Sequence, residues 1–206
     1  MKDERENEMD IYTGFAEVYD TFMDNVPYSE WADCLEGILK EHGVCGGLVL
    51  DLGCGTGEVL ELLRHNCSEV IGVDGSPRML ELARRRFGED SAGVSLRIGE
   101  LDHLPLRDGE ADFACINLVL HHLSRPQDAL REIARVVRPD GLLLVSDFDR
   151  HQQENMRAVY GDRWLGFTRE DMDAMLRGAG FETVEYRREE VKLGLALHLV
   201  LTRHTS

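Results

Sequence analysis

Apolar positions change their spacing at glycine-rich points along the chain, and each change predicts a new element. Between Asp10 and His42, Ile11, Phe15, Val18, Tyr19 and Phe22 recur at spacings of three and four, which predicts a helix. Pro27 breaks it and opens a second helical run with Trp31, Leu35, Ile38 and Leu39 on one face, ended by Gly43, Gly46 and Gly47. From Leu48 the period shortens. Short apolar runs at 48–50, 70–73, 94–98, 111–119 and 141–146 read as strands. Helical patterns at 58–65, 77–87 and 126–137 separate them. Ser76 followed by Pro77 is a helix start, with Ser as N-cap and Pro in the first turn. A further helix over Thr168 to Arg177 stops at Gly178 and Gly180, and two last strands, 181–186 and 196–202, form a hairpin-like pair. Residues 148–167 fit neither period.

Strands that are apolar almost throughout must be covered on both faces, which requires parallel pairing with right-handed crossovers. The alternation therefore predicts an α/β fold: a doubly wound, Rossmann-like, mostly parallel seven-stranded sheet with helices on both faces. Residues 1–43 are expected to form a tail and an N-terminal helical cover, and 44–206 the sheet domain.

Charge narrows the choice of partner. Asp and Glu number 39 against 23 Lys and Arg, a formal net charge of -16. Such a polyanion is repelled by phosphate backbones and anionic membrane surfaces. Nucleic acid is thus disfavoured as a partner, and the run Arg84 to Arg86 reads as a solvated helix face. Cysteines 34, 45, 54, 67 and 115 form no paired spacing, so thiols in a reducing compartment are expected and no metal site is read from them. The acidic first ten residues lack the apolar core of a signal peptide, and the longest apolar runs are strand-sized; the expected location is the cytoplasm.

The most informative stretch is Asp51 to Gly57, a strand end, a turn with glycines at 53, 55 and 57, and a helix start. Glycines there admit a ligand close to the backbone, at the strand ends where open α/β sheets bind ligands. A dinucleotide loop would carry its third glycine where Glu58 stands. Glu58 and Asp51 would both repel a pyrophosphate and suit a ligand with positive charge. Asp74 closes the next strand, beside the loop, where a carboxylate can accept both hydroxyls of a ribose.

The segment Asp51 to Gly57, followed by Gly72, Asp74, Pro77 and Met79, resembles the class I S-adenosylmethionine-dependent methyltransferases. Gly99 to Pro105, Phe113 to His122 and Arg138 to Gly141 continue the likeness, which covers roughly residues 12–201. The resemblance implies S-adenosyl-L-methionine as cofactor. It implies that Asp51 takes the amino group of the methionine part, with Gly53, Cys54, Gly55 and Gly57 passing under it. Asp74, Gly75 and Ser76 would hold the ribose, and Met79, Glu100 and Leu101 would flank the adenine. Asn117 and Leu118 would lie along the methionine, and Tyr19 would cover it. Glu100 stands where Asp is commoner in the family.

The loops over the strand ends would shape the acceptor pocket, pointing to Tyr12, His122, Asp149, His151, Trp164 and Phe167. His121 and His122 are candidates for a general base. The wording of this region resembles the methyltransferase part of bacterial chains that also carry an ArsR-like repressor domain. The expected function is methyl transfer to a small-molecule acceptor by a monomer or homodimer. A non-catalytic cofactor-binding regulator is the alternative, and methylation of nucleic acid or protein is less favoured. Arsenite methylation would need converging thiolates, and nothing in the spacing brings Cys34, Cys45 and Cys67 together.

Overall fold

The structure, a computed structural model, describes residues 37–38, 40–42, 47–65, 67–88, 91–191 and 194–205. Most of the expected N-terminal cover, with Tyr12 and Tyr19, lies outside the described residues. Of that stretch, residues 37, 38, 40 and 41 are helical, and Ile38 is buried in the core.

The elements follow the predicted alternation. They are β1 (Leu48–Leu52), α1 (Glu58–Arg64), β2 (Glu69–Asp74), α2 (Pro77–Phe87), β3 (Val94–Ile98) and β4 (Ala111–Asn117). A single 3-10 turn (Leu120–His122) precedes α3 (Pro126–Val136) and β5 (Val137–Phe148). Then come α4 (Asn155–Tyr160), α5 (Arg169–Gly178), β6 (Phe181–Glu190) and β7 (Ala196–His204). One seven-stranded sheet results, in the order β3-β2-β1-β4-β5-β7-β6. β7 runs antiparallel to both β5 and β6, and the other neighbouring pairs are parallel. The order reverses between β1 and β4, which opens a crevice at their C-terminal ends.

Strand residues point alternately to two cores, as continuous apolar strands require. Val49, Val70, Phe113 and Leu144 pack with Leu60, Leu63, Leu80 and Phe87 of α1 and α2. Leu50, Ile71, Leu143 and Val145 pack with Leu130 and Ile133 of α3 and with Met172 and Leu176 of α5. Each fully buried aliphatic side chain of this kind contributes roughly 1.5–3 kcal/mol. Gly72 belongs to this packing: a Cβ there would lie 2.4 Å from Leu60, so glycine lets α1 sit close against β2.

Helix starts are fixed by side chains. Ser76 Oγ accepts the Met79 N–H at 3.3 Å. Thr168 accepts from the Asp171 N–H at 3.1 Å while Asp171 accepts from the Thr168 N–H at 3.0 Å, a reciprocal capping box. Such caps are each worth about 1 kcal/mol.

Three boundaries that differ from the sequence reading bear on the site. β4 stops at Asn117 because Leu118 turns into the left-handed region at φ 54. β5 begins at Val137, directly out of α3. A register irregularity against β4 lets the exposed residues 138–140 bulge outward, with Asp140 at φ 62. β5 also continues past Ser146 to Phe148, which puts Asp147 at a strand end. Residues 149–168 form a strap over the strand ends, carrying the short helix α4.

Candidate active site

The crevice is built first by the turn after β1. Gly53 (φ 69) and Cys54 both donate their N–H to the Val73 carbonyl, which ties the loop to β2. At Gly53 a Cβ would come within 2.5 Å of Val119, so both conformation and space select glycine. A pocket there is lined by Asp51, Gly53, Cys54, Thr56, Glu58, Val59 and Asn117.

Two acids close this part. Asp51 is 1% exposed; one of its oxygens accepts from Cys115 Sγ at 3.4 Å and the other has no hydrogen-bond partner. Burial lifts its carboxyl to about 7, and Asp74 adds to the rise. Asp74 is better satisfied, with one oxygen accepting from the Gly55 N–H at 2.9 Å and the other from the Ser76 N–H at 2.8 Å. Burial raises its carboxyl and these two bonds oppose the rise. Burial beside the acids also pushes up the Cys54 and Cys115 thiols.

The surrounding candidates fall into place around these acids. Asn117 is buried and accepts from the Ser146 hydroxyl. Leu118 donates its N–H to the Ser146 carbonyl at 2.9 Å. Glu100 is exposed, and its carboxylate lies 3.5 Å from where a Cβ on Gly75 would stand. Leu101 packs on the core and Met79 is buried in α2. The expectation for Glu58 needs correcting: Arg86 bonds it at 3.0 Å and also the Thr56 carbonyl, so its charge is already matched.

The ends of β4 and β5 carry a different chemistry. His121 is 3% exposed, and its Nδ1 lies 2.7 Å from Asp147 Oδ1. Burial resists its protonation, but Asp147 and Asp162 outweigh that and raise its pKa. The His122 ring stacks on it with centroids 4.1 Å apart, and burial with that neighbour pushes His122 down to about 3. Asp162, on the strap, is buried and lifted to about 6 by burial. The strap is docked here by its backbone: the N–H groups of Arg163 and Trp164 both donate to the His121 carbonyl at 3.0 Å. The Trp164 indole is 40% exposed and donates to the Leu123 carbonyl at 2.8 Å, so it anchors the strap rather than filling the core.

The remaining acceptor candidates separate. His151 has a buried Nε2 without a hydrogen-bond partner, and its ring meets Phe148 edge-on at 5.7 Å. Asp149 is engaged by Arg188 at 2.7 Å and by His198 at 3.3 Å, toward β6 and β7. Phe167 is buried in the core that α3 and α5 cover. The pattern reading missed Asp147 and Asp162. Asp147 carried a signal, an acid just past an apolar strand as in Asp51 and Asp74; Asp162 carried none. Among the described cysteines, Cys54, Cys67 and Cys115 form no disulfide.

Comparison with known proteins agrees with this geometry. Residues 50–145 match the family described as a methyltransferase domain. YqeM of Bacillus subtilis (strain 168), which bears a methyltransferase name, is 32% identical over 166 residues, 79% of this chain and 64% of that one. An arsenite methyltransferase of Halobacterium salinarum is 34% identical over 150 residues, covering 68% of this chain and 38% of that one. The chain spans less than two thirds of the length of both relatives. A solved S-adenosylmethionine-dependent methyltransferase from Clostridium acetobutylicum superposes with a TM-score of 0.74 over 95% of this chain and 99% of that one, at 15% identity. The [4+2]-cyclase SpnF shares the fold, with a TM-score of 0.72 over 84% of this chain and 80% of that one, at 21% identity. Residues 50–145 thus match a methyltransferase domain, and the chain shares its fold with a solved S-adenosylmethionine-dependent methyltransferase.

Proposed function

We propose that this chain transfers a methyl group from S-adenosylmethionine to a small-molecule acceptor. The observation that carries the reading is the orphaned, fully buried oxygen of Asp51 at the mouth of the glycine loop. A buried carboxylate with one oxygen unsatisfied is costly by itself and fits a cationic donor such as an amino group. Asp74 fits a ribose: each oxygen already takes one backbone N–H and keeps a lone pair for a hydroxyl. Gly53, Gly55 and Gly57 allow close approach, with Cys54 between them on the pocket wall. Glu100 over Gly75, with Ser76, Leu101 and Met79 behind, forms the adenine end. Asn117 and Leu118 border the methionine arm.

The bound cofactor supplies a methyl group on a cationic sulfur, so the protein's task is alignment and exclusion of water. Asp51 and Asp74 orient; the strap and the β4 end, with His121 and His122, close the acceptor side. A small acceptor is supported by the net charge of -16 and by the pairing of the basic runs. Arg85 bonds Glu81, Arg86 bonds Glu58 and Arg188 bonds Asp149, so these three basic side chains are already matched by acids rather than offered to a phosphate backbone. Calorimetry with S-adenosylhomocysteine tests the cofactor half: binding by the native chain, weakened in Asp74→Ala, is expected, and no binding rejects it. A panel of small acceptors, read by S-adenosylhomocysteine release, tests the other half; turnover confined to nucleic acid or protein substrates rejects it.

A further inference from the structure

One cluster outside the glycine loop has a donor set that methyl transfer does not require. His121 and His122 stand on the 3-10 turn after β4, and Asp162 stands on the strap. Asp162 Oδ1 lies 3.7 Å from His121 Nε2 and 3.7 Å from His122 Nδ1, and one donor atom from each residue falls within 4.8 Å of the others. Asp162 is 4% exposed, and neither carboxylate oxygen has a hydrogen-bond partner. A carboxylate in that condition calls for a cation.

The outer contacts point the same way. Asp147 Oδ1 holds His121 Nδ1 at 2.7 Å and is itself bonded by the Phe148 N–H, which turns His121 Nε2 toward Asp162. A carboxylate behind a histidine is the usual partner of a metal-bound imidazole. Two imidazole nitrogens and one carboxylate suit a divalent transition metal, whereas magnesium and calcium favour oxygen throughout. Bonds of about 2.0–2.1 Å set tetrahedral donors roughly 3.4 Å apart, so the two 3.7 Å pairs need only small rotamer changes. The other group with metal-like composition among the described residues, Glu41, His42 and Glu185, is explained without an ion, because Arg187 pairs with both glutamates.

We propose that His121, His122 and Asp162 bind a divalent transition-metal ion of the zinc class, with Asp147 orienting His121. Such an ion joins the strap to the end of β4. Three protein ligands leave a fourth position for water or for an acceptor heteroatom.

The test uses the full chain without a histidine tag, stripped by chelator and titrated with Zn²⁺ by calorimetry, with Co²⁺ as a spectroscopic probe. One high-affinity site is expected, with nitrogen and oxygen ligation in the cobalt spectrum. Asp162→Asn and His122→Gln should each weaken it by at least about 100-fold, and Asp147→Asn by about 10–100-fold. Zn²⁺ should raise the melting temperature of the native chain and not of Asp162→Asn. Glu185→Gln should bind as the native chain does. If Asp162→Asn does not fold, His122→Gln is read in its place. Absence of one-to-one binding, unchanged affinity in the ligand variants, or thiolate bands in the cobalt spectrum would overturn the proposal. The alternative, a protonated His121 shared by Asp147 and Asp162, gives the first of these results. S-adenosylhomocysteine binding, measured in parallel, reports the glycine loop separately.

Discussion

The two halves of the crevice handle buried charge in opposite ways. At the ends of β1 and β2, Asp51 and Asp74 meet backbone N–H groups and a thiol and, among the described residues, bond no basic side chain. At the ends of β4 and β5, Asp147 and Asp162 are interleaved with two histidines. The first half is therefore short of positive charge, which suits the cationic ligand proposed for it. The second compensates its acids from within the chain, or shares them with an ion. A Rossmann-like scaffold can thus keep two acidic sites a few strands apart without their answering to the same ligand.

The strongest way to break this comparison is Asp51→Asn. Removing one partner of a buried charge pair costs about 2–5 kcal/mol. S-adenosylhomocysteine affinity should fall by about 100-fold in calorimetry, while Asp162→Asn stays near the native value. An equal loss in both variants would mean that the halves act as one site.

Acidity provides the next separation. Asp51 has its carboxyl raised from 3.8 in the unfolded chain to about 7 in the folded one. Between those values the ligand-free fold holds a proton that the unfolded chain has released. Its stabilising effect is full below pH 4 and is lost as pH rises through 7, at up to about 1.4 kcal/mol per pH unit. Ligand binding runs the other way, since the amino group requires the carboxylate, and should weaken as pH falls below 7. Asp51→Asn should flatten the stability trend in urea titrations run from pH 5 to 8.

Smaller effects sharpen the picture. Gly53→Ala forces a side chain into φ 69 and against Val119, with an expected stability loss of about 1–3 kcal/mol and weaker cofactor binding. Trp164→Phe removes one hydrogen bond from a half-exposed anchor of the strap. It should cost about 1 kcal/mol in a urea midpoint and leave cofactor affinity alone.

What could be read from sequence follows the same division. The glycine loop and Asp51 are contiguous, and Asp74 is brought beside them by the parallel pairing of β1 with the next strand, β2. Alternation and apolar runs were enough to place them. The histidine–carboxylate cluster is assembled from a turn, a strand end and a strap. Asp147 was hidden by one residue of boundary error at Ser146, and Asp162 looked like any polar residue between Tyr160 and Trp164. Glu58 was misjudged for a related reason: its partner Arg86 stands 28 residues further on and reaches it only once α2 has packed.

The antiparallel β7 bears on the order in which the sheet can be assembled. β2 to β5 each find a neighbour among strands already made, but β6 borders β7 alone. It has no edge to join until the strand after it has been delivered. β7 is therefore the keystone of this side of the sheet: β6 is joined to the other strands only through it.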